Sequence, residues 1–242
     1  MENIKICKNC ANKVVSNFCS FCGQANHTKR IDAHYIIHDI PHSVFHVDKG
    51  LPYTFIQLTT NPGKALLEYL KGKRVKFFKP FAYVIILSTI SSLFLKLFTN
   101  EISIKQQNNF ITILSKYPSL LIFILIPVVS IISWIIIKSK LNYWEHFVIH
   151  TYLAAQINVI LIIMNLISLV STLNSIDLVI KLILFNFIFM TYHGYTFSSI
   201  ITNNYTVKFS LIHLIKISIC CFLLGSIYAL ALSYTGIANI WF

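Results

Sequence analysis

Acidic residues are scarce in this chain: 8 of 242, with only Glu101, Glu145 and Asp177 beyond residue 80. So few carboxylates leave no material for paired general acid and base chemistry in the C-terminal two thirds. No Gly-rich phosphate loop, dinucleotide fingerprint, nucleophile elbow or HExxH pattern is present, which removes the reaction classes those motifs carry. Charged residues of both signs reach only 12%. That composition excludes a disordered tail and a coiled coil. No short apolar core near the N-terminus is followed by a small-residue cleavage site, so the N-terminal third is expected to stay in the compartment of synthesis.

Apolar residues supply what the charges do not. They make up 56% of the sequence, and the mean hydropathy is +0.69. A hydrocarbon core about 30 Å thick needs about 20 helical residues to cross it. From Pro80 onward such stretches recur near 81–98, 118–137, 147–170, 178–200 and 209–233. Long apolar runs without period-2 alternation satisfy their backbone in lipid only as helices. The sequence therefore predicts an all-α membrane protein with about five transmembrane helices.

The positive charge is concentrated at the front, where 12 of the 20 Lys and Arg residues precede residue 81. Lys64, Lys71, Lys73, Arg74, Lys76 and Lys79 face Glu68 alone just before the first span, a pattern that anchors this side in the cytosol. The expected topology puts the N-terminus inside and the C-terminus outside an inner membrane. Trp134, Trp144 and Trp241 fall near span ends, as interfacial aromatics do.

Three units follow: a ribbon at 1–28, an amphipathic and basic segment at 29–79, and the helical bundle at 80–242. In the first, Cys7-x2-Cys10 and Cys19-x2-Cys22 are two knuckles that together offer four thiolates in the set preferred by structural Zn²⁺. Four sulfur ligands leave no open position, so one zinc would hold the fold and would not activate water. Disulfides conflict with a cytosolic location. Val14, Val15 and Phe18 suit two short strands packing over the site.

His34, His38, His42 and His46 recur every four residues and would share one face of a helix, although Pro41 should break it between the pairs. Such pairs serve as metal ligands or pH sensors, or form a solvated polar face. Asn61-Pro62 opens a further helix that Gly72 closes. Lys71, Lys73, Arg74, Lys76 and Lys79 then lead into the first span, where anionic lipid head groups are the nearest partner. Nucleic acid ranks below lipid, because no RNA-reading motif or aromatic-basic stacking platform accompanies the charges.

Along the third span His146, His150, Asn158, Asn165, Ser168 and Thr172 fall on one side, which predicts a helix inside the bundle. The topology brings Glu145, His146, His150, His193 and His213 to cytoplasmic ends of spans, a candidate second polar or metal site with His42 and His46.

The residues Cys7-x2-Cys10 with Phe18-Cys19-x2-Cys22-Gly23-Gln24 resemble the short zinc ribbon at the front of many bacterial membrane proteins. Pro41 to Gly50, Tyr53-Thr54, Asn61-Pro62-Gly63 and Tyr69-Leu70-x-Gly72-Lys73-Arg74 are similar to a family of uncharacterised bacterial zinc-ribbon multi-span proteins, a domain of unknown function. The resemblance implies the architecture and no activity. It marks His42, His46, Asp48, Gly72, Lys73 and Arg74 for mutation, and it shows Ala11 where ribbons often carry Gly. The expected function is non-enzymatic: the ribbon and basic segment recruit a protein partner or anionic lipid at the cytosolic face, with oligomerisation left open. A small transporter or channel using the polar seam, with Pro127 as a kink, comes second. A membrane enzyme with a His-rich cytosolic site comes third.

Overall fold

The computed structural model describes residues 5–38, 50–98, 118–137, 139–170 and 178–204, together with single helical positions between 215 and 226. Two short antiparallel strands, β1 (Lys5–Ile6) and β2 (Lys13–Val14), open the chain. Helices follow: α1 (33–38), α2 (Leu51–Thr60), α3 (Pro62–Leu70), α4 (Pro80–Phe98), α5 (Pro118–Ile137), α6 (Tyr143–Val170) and α7 (Leu178–Asn204).

Local chemistry sets the helix ends. α2 to α5 each carry a proline in the first turn, where its missing N–H leaves no bond unmade and its fixed φ suits the helix. α3 stops at Gly72, whose φ of +100 lets its N–H reach the Tyr69 carbonyl at 3.0 Å while the Lys73 N–H reaches Glu68 O at 3.0 Å. This paired closure satisfies carbonyls that the last turn leaves open. α6 begins with a reciprocal cap: the Glu145 N–H donates to Asn142 Oδ1 and the Asn142 N–H donates to Glu145 Oε2, both at 2.8 Å.

α6 forms the centre of the helical body. α4 and α5 pack along it, and α3 packs against α7. Two bonds to backbone carbonyls tie the segment before α4 and the short helix α2 to the long helices: Tyr152 Oη donates to Phe78 O at 2.6 Å, and Tyr192 Oη donates to Leu58 O at 3.0 Å.

The long helices expose apolar stripes and bury some polar side chains beside the apolar core. On α5 the exposed residues include Ile124, Val128, Ile131 and Ile135, one stripe at helical spacing, while Ser130 and Ser133 are fully buried. On α7 Ile183, Leu184 and Phe187 are exposed, and His193 and Thr196 are buried. Among the described residues one stretch, Tyr143–Ile163, is long and apolar enough to cross a membrane; Pro80–Phe94 and Phe123–Ile137 are shorter apolar stretches.

Four of the predicted apolar runs are thus helices, with α6 beginning before residue 147 and α7 continuing past residue 200. The stretch 209–233 lies almost wholly outside the described residues, as do His42, His46 and His213 and the side chains of Asn165 and Ser168. One local expectation needs correction. The strand pair joins the segments on either side of the first knuckle, and of the three apolar residues between the knuckles only Val14 is buried; Val15 and Phe18 are exposed. The cause is the knuckle turn, which folds residues 5–6 back onto 13–14 and leaves the later residues outside.

Candidate functional site

Each knuckle is the same backbone device used twice. Cys7 N–H donates to Asn12 O at 2.8 Å and Ala11 N–H to Cys7 O at 3.0 Å; Cys19 N–H donates to Gln24 O at 2.9 Å and Gly23 N–H to Cys19 O at 2.8 Å. Both turns require a left-handed residue at the same place, and Ala11 (φ 60) and Gly23 (φ 74) occupy it. Ala11 takes this conformation at a steric cost that glycine would not incur.

The turns bring the four sulfurs together. Cys7 Sγ lies 3.6 Å from Cys22 Sγ and Cys10 Sγ 3.5 Å from Cys19 Sγ, with all four within 4.8 Å of one another and none in a disulfide. Zn–S bonds of about 2.3 Å in a tetrahedron separate sulfurs by about 3.8 Å, so the cluster can hold a metal ion with little rearrangement. Donors already point at the sulfurs: Asn9 N–H at 3.4 Å from Cys7 Sγ, and Asn12 Nδ2 at 3.3 Å from Cys10 Sγ. The Asn12 backbone N–H holds the Cys10 thiol down to about 6, whereas burial pushes Cys7 up to about 11. A metal ion takes the place of those protons. Among the described residues this is the only cluster of histidine, cysteine or carboxylate side chains placed to share an ion.

The knuckles are fastened to the helical body. Gln24, buried, accepts at Oε1 from the backbone N–H groups of both Arg74 and Val75 at 3.0 Å. Lys8 Nζ donates to Thr28 O at 2.7 Å, and Arg74 Nη2 donates to Lys29 O at 3.0 Å. Arg30 forms a two-pronged bond to the buried Glu145 at 2.9 and 2.6 Å, and a third contact to Lys140 O at 2.7 Å. Asn142 Nδ2 donates to Ile31 O at 2.9 Å. Replacing Gln24 by leucine strands two N–H groups at once, and the expected cost is roughly 2–4 kcal/mol, read as a lower melting temperature with faster amide exchange at residues 71–76.

The basic residues expected to face lipid divide into distinct roles. Arg74 turns inward: its guanidinium carbon lies 4.5 Å from the Tyr35 ring centre and 5.5 Å from that of Tyr69, and its Nε donates to Tyr69 O at 3.3 Å. Lys73 pairs with Glu68 at 3.1 Å. Lys71 and Lys76 are exposed. Lys76 and Lys79 line a cleft of about 570 Å³ between the second knuckle and the segment before α4, whose walls include Tyr35, Tyr53, Phe77 and Arg74.

The structure brings together three of the predicted histidines and separates them from Glu145, which belongs to the Arg30 contact. His146 Nδ1 lies 2.6 Å and His150 Nε2 2.8 Å from Ser133 Oγ, and His146 Nε2 lies 3.1 Å from Ser139 Oγ. His193 stacks 6.0 Å from His150 and 3.8 Å from Phe189, whose carbonyl its Nδ1 meets at 3.1 Å. Deeper in the bundle Gln156 Nε2 donates to Tyr83 Oη at 2.8 Å, and Asn158 Nδ2 donates to Ser88 Oγ at 3.2 Å. His34 and His38 stack at 6.2 Å on α1, exposed.

Sequence reasoning missed Gln24 as a clamp, Arg30 as the partner of Glu145, and Ser133. The spacing Asn142-x-x-Glu145 carried a helix-start signal. No local pattern marks a serine in an apolar helix as the centre of a histidine pair.

Residues 48–92 match a family described as a protein of unknown function (DUF3667). The match spans α2, α3 and most of α4 and begins after the cysteine pairs. Neither curated proteins nor solved structures give a match to the chain.

Proposed function

We propose that this chain is an integral protein of the inner membrane whose zinc-bound N-terminal cap and basic pre-span segment hold anionic lipid head groups at the cytosolic face. In this reading the bundle crosses the bilayer five times, with the stretch 209–233 as the last span. The apolar outer stripes of α5 and α7 and the buried polar side chains between helices support it, since lipid favours that arrangement and water does not. The all-cysteine donor set supports zinc in a structural role.

The observation that carries the lipid reading is the cleft beside the second knuckle. It combines the cations of Lys76 and Lys79 with the rings of Tyr35, Tyr53 and Phe77, and it lies immediately before α4 enters its apolar stretch. A phosphate head group with an acyl chain attached matches both halves of that surface. Juxtamembrane cations contribute about 1 kcal/mol each, so Lys71→Gln/Lys76→Gln/Lys79→Gln should weaken phosphatidylglycerol binding by roughly two orders of magnitude. The full-length protein in detergent, titrated with phosphatidylglycerol or phosphatidylcholine and followed by melting temperature, tests this. The expected result is a salt-sensitive rise with the anionic lipid only, lost in the triple variant. Equal responses to both lipids, or an unaffected triple variant, would contradict it.

A transporter is the second reading, favoured by the enclosure of α6, most of whose apolar stretch is buried.

A further inference from the structure

Buried between α5, α6 and α7 is a continuous polar chain that neither metal binding nor lipid contact uses. It starts in the α5–α6 loop at Ser139, which is partly exposed beside the exposed Lys140. Ser139 Oγ lies 3.1 Å from His146 Nε2; the other nitrogen of that ring, Nδ1, lies 2.6 Å from Ser133 Oγ; Ser133 Oγ in turn lies 2.8 Å from His150 Nε2. Ser133, His146 and His150 are almost completely buried. Phe197 covers both imidazoles, its ring centre 5.7 Å from that of His146 and 5.5 Å from that of His150.

Each link joins a group that can donate to one that can accept in either sense, because a hydroxyl and a neutral imidazole each carry one proton and a free lone pair. In the first arrangement Ser139 donates to His146 Nε2, His146 Nδ1–H donates to Ser133, and Ser133 donates to His150 Nε2, leaving the His150 proton on Nδ1. In the second every bond is reversed. Ser139 then accepts from His146 and from the Leu141 N–H, which lies 3.3 Å from its oxygen. Among the described residues the competing acceptor for Ser133 is the Ser130 carbonyl at 3.4 Å, a longer contact than either imidazole nitrogen offers.

We infer that Ser139, His146, Ser133 and His150 form a proton relay from the mouth of the bundle into its interior. A proton taken up from water at Ser139 Oγ moves the Ser139 proton to His146 Nε2. The proton on His146 Nδ1 passes to Ser133 Oγ, and the Ser133 proton passes to His150 Nε2. The His150 Nδ1 proton then passes to His193, whose ring is stacked on it with centres 6.0 Å apart and planes 23° apart, a transfer that requires one ring to turn out of the stack. His193 keeps its Nδ1 proton on the Phe189 carbonyl at 3.1 Å, so its Nε2 is the accepting nitrogen. One proton enters; Ser139, His146, Ser133 and His150 end in the second arrangement with no net charge, and His193 carries the added proton as an imidazolium.

The inference rests on the membrane placement proposed above. The test uses the full-length protein in liposomes with a trapped pH indicator and a valinomycin-clamped potential, and alkaline extraction of the same preparation separates a failure of insertion from a failure of the relay. Wild-type protein should conduct protons above empty liposomes. Ser133→Ala, which removes the shared hydroxyl, should lower the flux by roughly 100-fold, and Ser133→Thr, which keeps it, should restore it. Metal content and melting temperature of each variant report folding. If Ser133→Ala does not fold, ¹⁵N-histidine spectra of the inserted wild type decide: His146 and His150 should each populate both tautomers. Inserted wild type without flux, a folded Ser133→Ala that conducts normally, or single fixed tautomers on both rings would overturn the relay and leave these contacts as links between helices.

Discussion

Cys19→Ser should take the bound metal from one ion per chain to almost none and unfold the N-terminal cap. Cys19 is buried at the start of the second knuckle and its sulfur is one of the four-sulfur set. The apolar core of this module is Cys7, Val14 and Cys19 with Cys10 and Cys22 against them, which is far too little to fold a segment of this size without the ion. Structural zinc contributes about 10–16 kcal/mol of apparent binding energy in comparable small modules, and that energy is folding energy. Elemental analysis gives the stoichiometry. Amide exchange gives the consequence: protection at residues 5–28 should vanish in the variant and in wild type treated with a chelator, while α4 and α6 remain protected. An unchanged metal content, or an apo cap that keeps its protection, would show that the thiols do not hold the fold.

Gly63→Leu should part α3 from α7. A Cβ at residue 63 would lie 2.3 Å from Ser199 Cβ and 2.9 Å from the Thr196 carbonyl oxygen. Ser199 Oγ can rotate away, but Ser199 Cβ and the Thr196 carbonyl are both fixed to the α7 backbone, so the helices must separate. Close crossings of this kind depend on small residues in lipid as in water. Gly63→Ala is expected to cost about 2–3 kcal/mol, and leucine more. Pairing Gly63→Ala with Ser199→Gly removes the clashes with Ser199 Cβ and Oγ and leaves the one with the Thr196 carbonyl, so the double variant should recover part of the loss in melting temperature; strict additivity would contradict the proposed contact.

The parts of this fold legible in the sequence are those written at short range. Cys-x2-Cys repeated after eight residues gives the metal cluster directly, because each knuckle closes within its own backbone. The long helices are legible in their apolar length and α3 in the Asn61-Pro62 that opens it, whereas α2 carries no such reading. Glu145 stands out in the sequence as a lone carboxylate at a helix start, but its partner is 115 residues away in the chain, and nothing near either residue names the other. Arg74 shows the same limit. It stands in a run of cations and reads as one more lipid contact, yet Tyr35 and Tyr69 turn it inward. The hydrophobicity of Val15 and Phe18 points to burial, yet both are exposed, because in a module this small the turns decide which residues face out.

The histidines divide along the same line. The side-by-side placement of His146 and His150 follows from helical spacing, and their common partner Ser133 follows only from how α5 meets α6.

At the centre of this account is a metal-bound cap built onto the cytosolic end of a bundle embedded in the membrane. Lys71→Cys supplies an exposed thiol at the end of α3, on the same face of the protein as that cap, and its reaction with a membrane-impermeant maleimide in sealed vesicles of defined orientation is the most direct measurement. The account predicts labelling in inverted vesicles, none in right-side-out vesicles, and a protein that stays with the membrane through alkaline extraction. Labelling from the outer side, or release into the soluble fraction, would contradict it.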